Sequence, residues 1–64
     1  MNAEDLVRKA ASMRNLDPTT PYEQLIDGIA GDAPTLVRET AKTIVRHHGG
    51  LFAAVMHINQ ERPQ

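Results

Sequence analysis

Apolar residues recur every three to four positions along most of the chain, which is the period of an α-helix with one buried face. Short segments rich in Gly, Pro and Asp interrupt this pattern, and such residues are typical of turns. The sequence therefore predicts an all-α fold, a small bundle of three to four helices. The predicted helices cover residues 3–15, 21–30, 33–48 and 51–60.

The first predicted helix, residues 3–15, has a clear start and a narrow apolar stripe. Asn2 can cap it, because its side-chain oxygen can accept a free backbone N–H of the first turn. The stripe consists of Leu6, Ala10 and Met13. Since this stripe is narrow, we expect the helix to lie at the periphery of the bundle.

Turn and capping residues predict where the second and third helices begin and end. Thr20 and Glu23 match a capping box, and Pro21 between them suits the first helical position. Gly31 stands where a left-handed cap is expected after the second helix. Asp32 is predicted to cap the third helix.

The glycine pair Gly49–Gly50 leaves two interpretations of the carboxyl-terminal half. Two glycines in a helix interior together cost about 2 kcal/mol relative to alanine, which favours a break and a fourth helix. The other interpretation is one long kinked helix, because an apolar seam crosses the glycines with alternating spacings of four and three residues. The residues of this seam are Val37, Ala41, Ile44, His48, Leu51, Val55 and Ile58.

Length and composition predict one domain over residues 1–64, with a frayed tail at 61–64. Hydrophobic residues make up 41% of the chain but aromatic residues only 3%, so the core must be largely aliphatic. Without cysteine no disulfide can supplement a core this small. We therefore expect self-association, as a homodimer.

Nothing in the sequence predicts a membrane protein. The amino terminus is acidic and does not match a signal peptide. The longest apolar run, Leu51–Met56, is far shorter than the roughly 20 residues that a bilayer requires. The expected location is the cytoplasm, in agreement with the absence of cysteine.

The residues that could carry chemistry do not match a catalytic, cofactor or metal site. Adjacent side chains on a helix point about 100° apart, so His47 and His48 cannot readily bind one metal ion together. His48 and His57 could approach each other only if the chain folds back at the glycines. We expect neither a metal ion nor a cofactor, and no enzymatic activity.

His48 has two predicted roles, which depend on how the helices end. At the end of a helix over residues 33–48 it would cap that helix, where a cation suits the helix dipole. In the seam of a long helix it would face its counterpart in a symmetric dimer. Protonation would then weaken dimerisation.

A basic stripe on the third helix comprises Arg38, Lys42 and Arg46, each one turn from the next. The stripe could contact DNA phosphates, which would make the protein a small DNA-binding regulator. The net charge of −1 argues against that function, because DNA-binding domains are usually basic. In the alternative interpretation the stripe pairs with acidic residues near the second helix. These residues are Glu23, Asp27 and Asp32.

The run Leu51–Met56 is apolar on nearly every side of a helix, more than a small chain can bury by itself. The sequence therefore predicts a small helical protein-interaction module, acting as an adaptor, an assembly subunit or an inhibitor of a larger protein. Phe52 and Met56, one turn apart, are the expected anchors. The predicted interface consists of Leu51, Phe52, Val55, Met56, Ile58 and His48.

Overall fold

The computed structural model describes residues 2–61, and within them it contains four α-helices and no strand. The prediction of a small all-α bundle is confirmed. The helices are α1 (Ala3–Leu16), α2 (Tyr22–Ala30), α3 (Thr35–His48) and α4 (Leu51–Glu61).

Helix α1 begins where the sequence predicts and ends one residue later than predicted. The Asp5 amide donates a 2.8 Å hydrogen bond to Asn2 Oδ1, so the expected cap is present. The Asp17 amide donates to the Met13 carbonyl at 2.9 Å and closes the last turn. Pro18 follows directly, and the residue before a proline is disfavoured in helical geometry.

Helix α1 lies at the centre of the bundle, so the prediction that it is peripheral is wrong. It packs against α2, α3 and α4, and its Leu6, Val7 and Ala10 side chains are completely buried. The predicted stripe of Leu6, Ala10 and Met13 is incomplete, because Met13 is 39% exposed whereas Ala11, outside the stripe, is 6% exposed. The small Ala side chains allow the neighbouring helices to approach α1 closely.

The predicted capping box before α2 does not form. Helix α2 begins at Tyr22, and Pro21 precedes it in an extended conformation with ψ 147° and without a side-chain cap. The Thr20 hydroxyl instead donates to the Asp17 carboxylate, which also accepts from Thr19. The threonine side chains therefore stabilise the turn rather than the first turn of α2.

The predicted Asp32 cap is also absent. Helix α3 begins at Thr35, two residues later than predicted, because Pro34 is extended with ψ 149°. Gly31 has the expected positive φ of 55°, but its ψ of −116° is not that of a left-handed helical cap. The chain therefore turns between α2 and α3 without the two capping interactions that the sequence predicts.

Helix α3 ends before Gly49 and a fourth helix follows the glycine pair, which confirms the first interpretation. The long helix with a continuous apolar seam is ruled out. Gly49 is left-handed, with φ 83° and ψ 9°. Its amide donates to the Arg46 carbonyl at 3.3 Å, and the Gly50 amide donates to the Val45 carbonyl at 3.1 Å. These two bonds form a Schellman motif, the usual way in which a glycine ends a helix.

All four helices contribute to one hydrophobic core, which is almost entirely aliphatic as composition requires. The buried core residues are Leu6, Val7, Ala10, Ala11, Leu25, Ile26, Ala30, Ala41, Val45, Leu51, Ala54 and Ile58.

The predicted frayed tail covers residues 61–64. Glu61 instead belongs to the last turn of α4, and residues 62–64 lie outside the described residues.

Candidate functional site

Helix α4 divides the apolar run of the sequence between the core and the surface. Leu51 is 4% exposed and Ile58 is 3% exposed, so these two predicted interface residues belong to the core. Ala54 is completely buried between them, and Val55 is half-buried against the same core. The inner face of α4 is thus covered by the rest of the chain.

The opposite side of α4 presents the largest aromatic and thioether side chains of the helix to solvent. Phe52 is 52% exposed and Met56 is 61% exposed, and the two lie one turn apart. Ala53, Asn59 and Gln60 are exposed beside them and carry no charge. These five residues are called the α4 outer face below. The five residues are themselves uncharged, and the groups that border them are Arg8, which donates to Asn59 Oδ1 at 3.4 Å, and His57, which is 42% exposed beside Met56.

Other exposed apolar side chains lie in more polar surroundings. Leu16 is 80% exposed at the end of α1, within a turn of Met13 and beside Arg14. Leu36 is 77% exposed in the first turn of α3, beside Arg38. Single exposed leucines are common on protein surfaces. The α4 outer face differs from them because it combines two large apolar side chains, one turn apart, that are each more than half exposed.

The basic stripe of α3 is partly paired within the chain. Lys42 Nζ lies 3.0 Å from an oxygen of Asp27 on α2 and 3.3 Å from Glu39 Oε2. Arg38 reaches the same Asp27 carboxylate at 3.9 Å. Among residues 2–61, Arg46 forms no ion pair.

Of the three acids predicted to pair with the basic stripe, Asp27 is the one that does so among residues 2–61. Within residues 2–61, neither Glu23 nor Asp32 forms an ion pair with the stripe, although both were predicted candidates. The hydrogen bond to Asp27 raises the pKa of Lys42 above its usual range. Partial burial opposes this shift, and Glu39 acts in the same direction as Asp27. Lys42 thus joins α2 to α3 and is only 15% exposed.

Replacing Asp27 with asparagine is expected to lower the free energy of unfolding by at most about 1 kcal/mol, because the pairs with Lys42 and Arg38 are partly exposed. Urea denaturation followed by circular dichroism measures this change. The matched control is Glu23→Gln, which removes one exposed acid of α2 without breaking an ion pair among residues 2–61. Equal effects of the two substitutions would contradict a stabilising role for Asp27.

The three histidines meet at the junction of α3 and α4, because the chain folds back at the glycines. The ring centroids of His48 and His57 are 4.1 Å apart, with 31° between the ring planes. His47 meets His48 edge to face at 5.0 Å. His57 Nε2 lies 2.9 Å from Glu61 Oε1, one turn further along α4. His48 therefore faces a histidine of its own chain, so the seam that suggested a facing counterpart in a dimer does not exist.

His48 does not cap α3 as a cation. Burial lowers the pKa of His48 below its usual value of 6.5, and His57 and His47 act in the same direction while Glu61 acts against them. Two of the carbonyls at the end of α3 accept hydrogen bonds from the backbone amides of the glycine pair instead. Among residues 2–61, no group of three or more His, Asp or Glu side chains is arranged to hold a metal ion.

The part of the chain that the structure describes contains no pocket. Within residues 2–61, no helix combines the length and the apolar character needed to cross a membrane. No protein-family model matches the chain, and neither a curated protein nor a solved structure matches it. The chain is thus an all-α bundle whose function has to be inferred from its own surface.

Proposed function

We propose that the protein is a small helical protein-interaction module that binds through the α4 outer face and associates with itself. The observation that carries this proposal is the exposure of Phe52 and Met56, one turn apart on a helix face without charge. Phe and Met are enriched at interface cores, whereas charged residues are depleted there. Among the predicted interface residues, these two are the ones that lie most exposed on the folded chain.

The spacing of the two side chains suits recognition in a groove. Amphipathic helices that dock into a hydrophobic groove use anchors three or four residues apart, as Phe52 and Met56 are. Complete burial of a Phe or Met side chain contributes about 1.5–3 kcal/mol relative to full exposure. Both side chains are at least half exposed, so covering the pair supplies on the order of 2 kcal/mol.

The size of the protein supports self-association. A core of twelve mostly small aliphatic residues gives a thin folding margin, which oligomerisation commonly supplements in chains of this length. An adaptor, an assembly subunit or an inhibitor of a larger protein would use the same face. The DNA-binding alternative is weaker, because Arg38 and Lys42 already bind Asp27.

The double substitution Phe52→Glu/Met56→Glu is expected to abolish self-association while leaving the fold intact. It places two charges on the face that a second copy would cover, and we expect the dissociation constant to rise at least about a hundredfold, beyond the concentrations measured. Glu in the first turn of α4 also suits the helix dipole. Light scattering on a sizing column, over about a tenfold range of concentration around micromolar, measures the effect.

The control is Leu36→Glu, which charges a more exposed apolar side chain in the first turn of α3. We expect the wild type and this control to approach twice the mass of 7.1 kDa as concentration rises, whereas the double variant stays at that mass. Circular dichroism confirms that each variant remains helical. A wild-type mass of one chain at every concentration would overturn self-association. A dimeric double variant would overturn the role of the α4 outer face.

A further inference from the structure

The contact between His48 and His57 joins α3 to α4 at their junction, and imidazoles can gain a proton within the physiological pH range. His48 is the last residue of α3, and only the glycine pair separates it from α4. Its ring stacks on His57, one turn before the end of α4. The contact therefore joins the carboxyl-terminal end of α3 to the second half of α4. It lies next to the backbone bonds that hold the turn together.

The geometry of the two rings favours a proton-dependent contact over metal binding. A metal ion lies near the plane of each imidazole that binds it. The planes of His48 and His57 are only 31° apart and their centroids 4.1 Å, so the two rings lie against each other. One ion cannot lie in both planes between such rings. Two neutral rings can stack in this way, but two protonated rings repel each other.

The charged groups that act on His48 come from α3 and α4. They are His47 on α3 and His57 and Glu61 on α4; within residues 2–61, α1 and α2 supply no group that shifts His48. Arg8 of α1 contacts α4 at Asn59, at 3.4 Å, and pairs with Asp5; Asn59 lies two residues from His57 and therefore on nearly the opposite face of α4.

The pair is asymmetric in its response to a proton. The Glu61 carboxylate, 2.9 Å from His57 Nε2, can compensate a positive charge on His57. Among residues 2–61, no carboxylate lies within ion-pair distance of His48. Protonation of His48 therefore places a positive charge beside two other imidazoles and only one carboxylate, that of Glu61, which already pairs with His57. The dipole of α3 favours a cation at this end, but the surroundings of His48 oppose one.

We propose that the His48–His57 contact is a proton-sensitive latch, in which the neutral rings stack and hold α4 against the end of α3 and acid loosens the junction. The inference does not depend on the proposed interaction function. Loosening of the junction would also change the position of the α4 outer face, because the same helix carries Phe52 and Met56.

The direction of the pH effect follows from His48. Burial lowers the pKa of His48 in the folded chain, whereas the unfolded chain has the ordinary value of 6.5. The unfolded state therefore binds the proton more readily than the folded state. Above about pH 6.5 His48 is neutral in both states, and the contact contributes its full stability. This stability is lost as the pH falls through and below that value, towards the lower pKa of the folded state.

NMR titration of the imidazole protons and thermal unfolding, each from about pH 7.5 to about pH 5, test the latch directly. In the wild type we expect His48 to titrate below 6.5 and the melting temperature to fall with acid. His48→Gln should make that fall smaller. His57→Gln should move the His48 titration upward. The control His47→Gln keeps the stacked pair and should retain most of the pH dependence.

A third readout locates the effect within the chain. The Gly50 amide, which donates to the Val45 carbonyl at 3.1 Å, should lose hydrogen-exchange protection in acid after correction for the intrinsic rate. The Leu6 amide in α1, which donates to the Asn2 carbonyl at 3.1 Å, should lose less. A His48 titration at or above 6.5, or one that His57→Gln leaves unchanged, would overturn the latch. So would a melting temperature that falls equally in the wild type and in His48→Gln.

Discussion

Replacing Leu6 with alanine is expected to remove about half of the free energy of unfolding at 25 °C. Leu6 is completely buried on α1, the helix that packs against all three others. Removal of a buried Leu side chain beyond its Cβ costs about 2–5 kcal/mol. At the usual stability per residue, a chain of 64 residues has about 3–10 kcal/mol in total. The substitution thus removes at least about a fifth of the stability, and about half at the middle of both ranges.

Urea denaturation followed by circular dichroism measures the loss. The control is Leu16→Ala at the other end of the same helix, where the side chain is 80% exposed and little stability should be lost. The comparison also tests the position of α1 in the bundle. If α1 were peripheral, as its narrow stripe suggests, the two substitutions would have similarly small effects.

Replacing Gly49 with alanine is expected to cost about 1–2 kcal/mol, the price of the left-handed conformation for a residue with a side chain. Gly49 has φ 83°, and a Cβ added there meets nothing within 4 Å. The loss would therefore be conformational and not a result of crowding. It should appear as a lower urea midpoint with an unchanged slope, because the surface exposed on unfolding stays the same.

The adjacent Gly50 provides the matched control. It does not have a positive φ, and an added Cβ there also meets nothing within 4 Å. Gly50→Ala should leave stability unchanged or raise it by less than about 1 kcal/mol, because alanine restricts the unfolded chain. Equal losses at Gly49 and Gly50 would contradict the Schellman motif as the reason why α3 ends where it does.

The existence of the helices could be predicted from the sequence, whereas their packing roles could not. Local signals such as the Asn2 cap and the glycine pair act over a few residues, and the structure bears both out. The central position of α1 depends also on Val7 and Ala11, which are buried but lie outside the predicted stripe of Leu6, Ala10 and Met13. The predicted caps at Thr20 and Asp32 failed because the prolines after them stay extended.

The candidate surface could be predicted only in part. The apolar run was identified, but its division between core and solvent depends on the rotation of α4 against α1 and α3. That rotation buries Leu51 and Ile58 and leaves Phe52 and Met56 outside. Likewise, the choice of Asp27 among three acids and the 4.1 Å contact between His48 and His57 depend on the angles at which consecutive helices pack, which local sequence signals do not give.

Quantitative affinity capture tests most directly whether the α4 outer face binds protein. Three tagged proteins would be expressed in cells of the organism that the protein comes from: the wild type, Phe52→Glu/Met56→Glu and Leu36→Glu. The proteins that each one retains, including a second copy of this chain, would be compared by mass spectrometry. We expect at least one protein to be retained by the wild type and by Leu36→Glu and to be lost from the double variant. The same set retained by all three, or no specific protein retained by any of them, would contradict the proposed function.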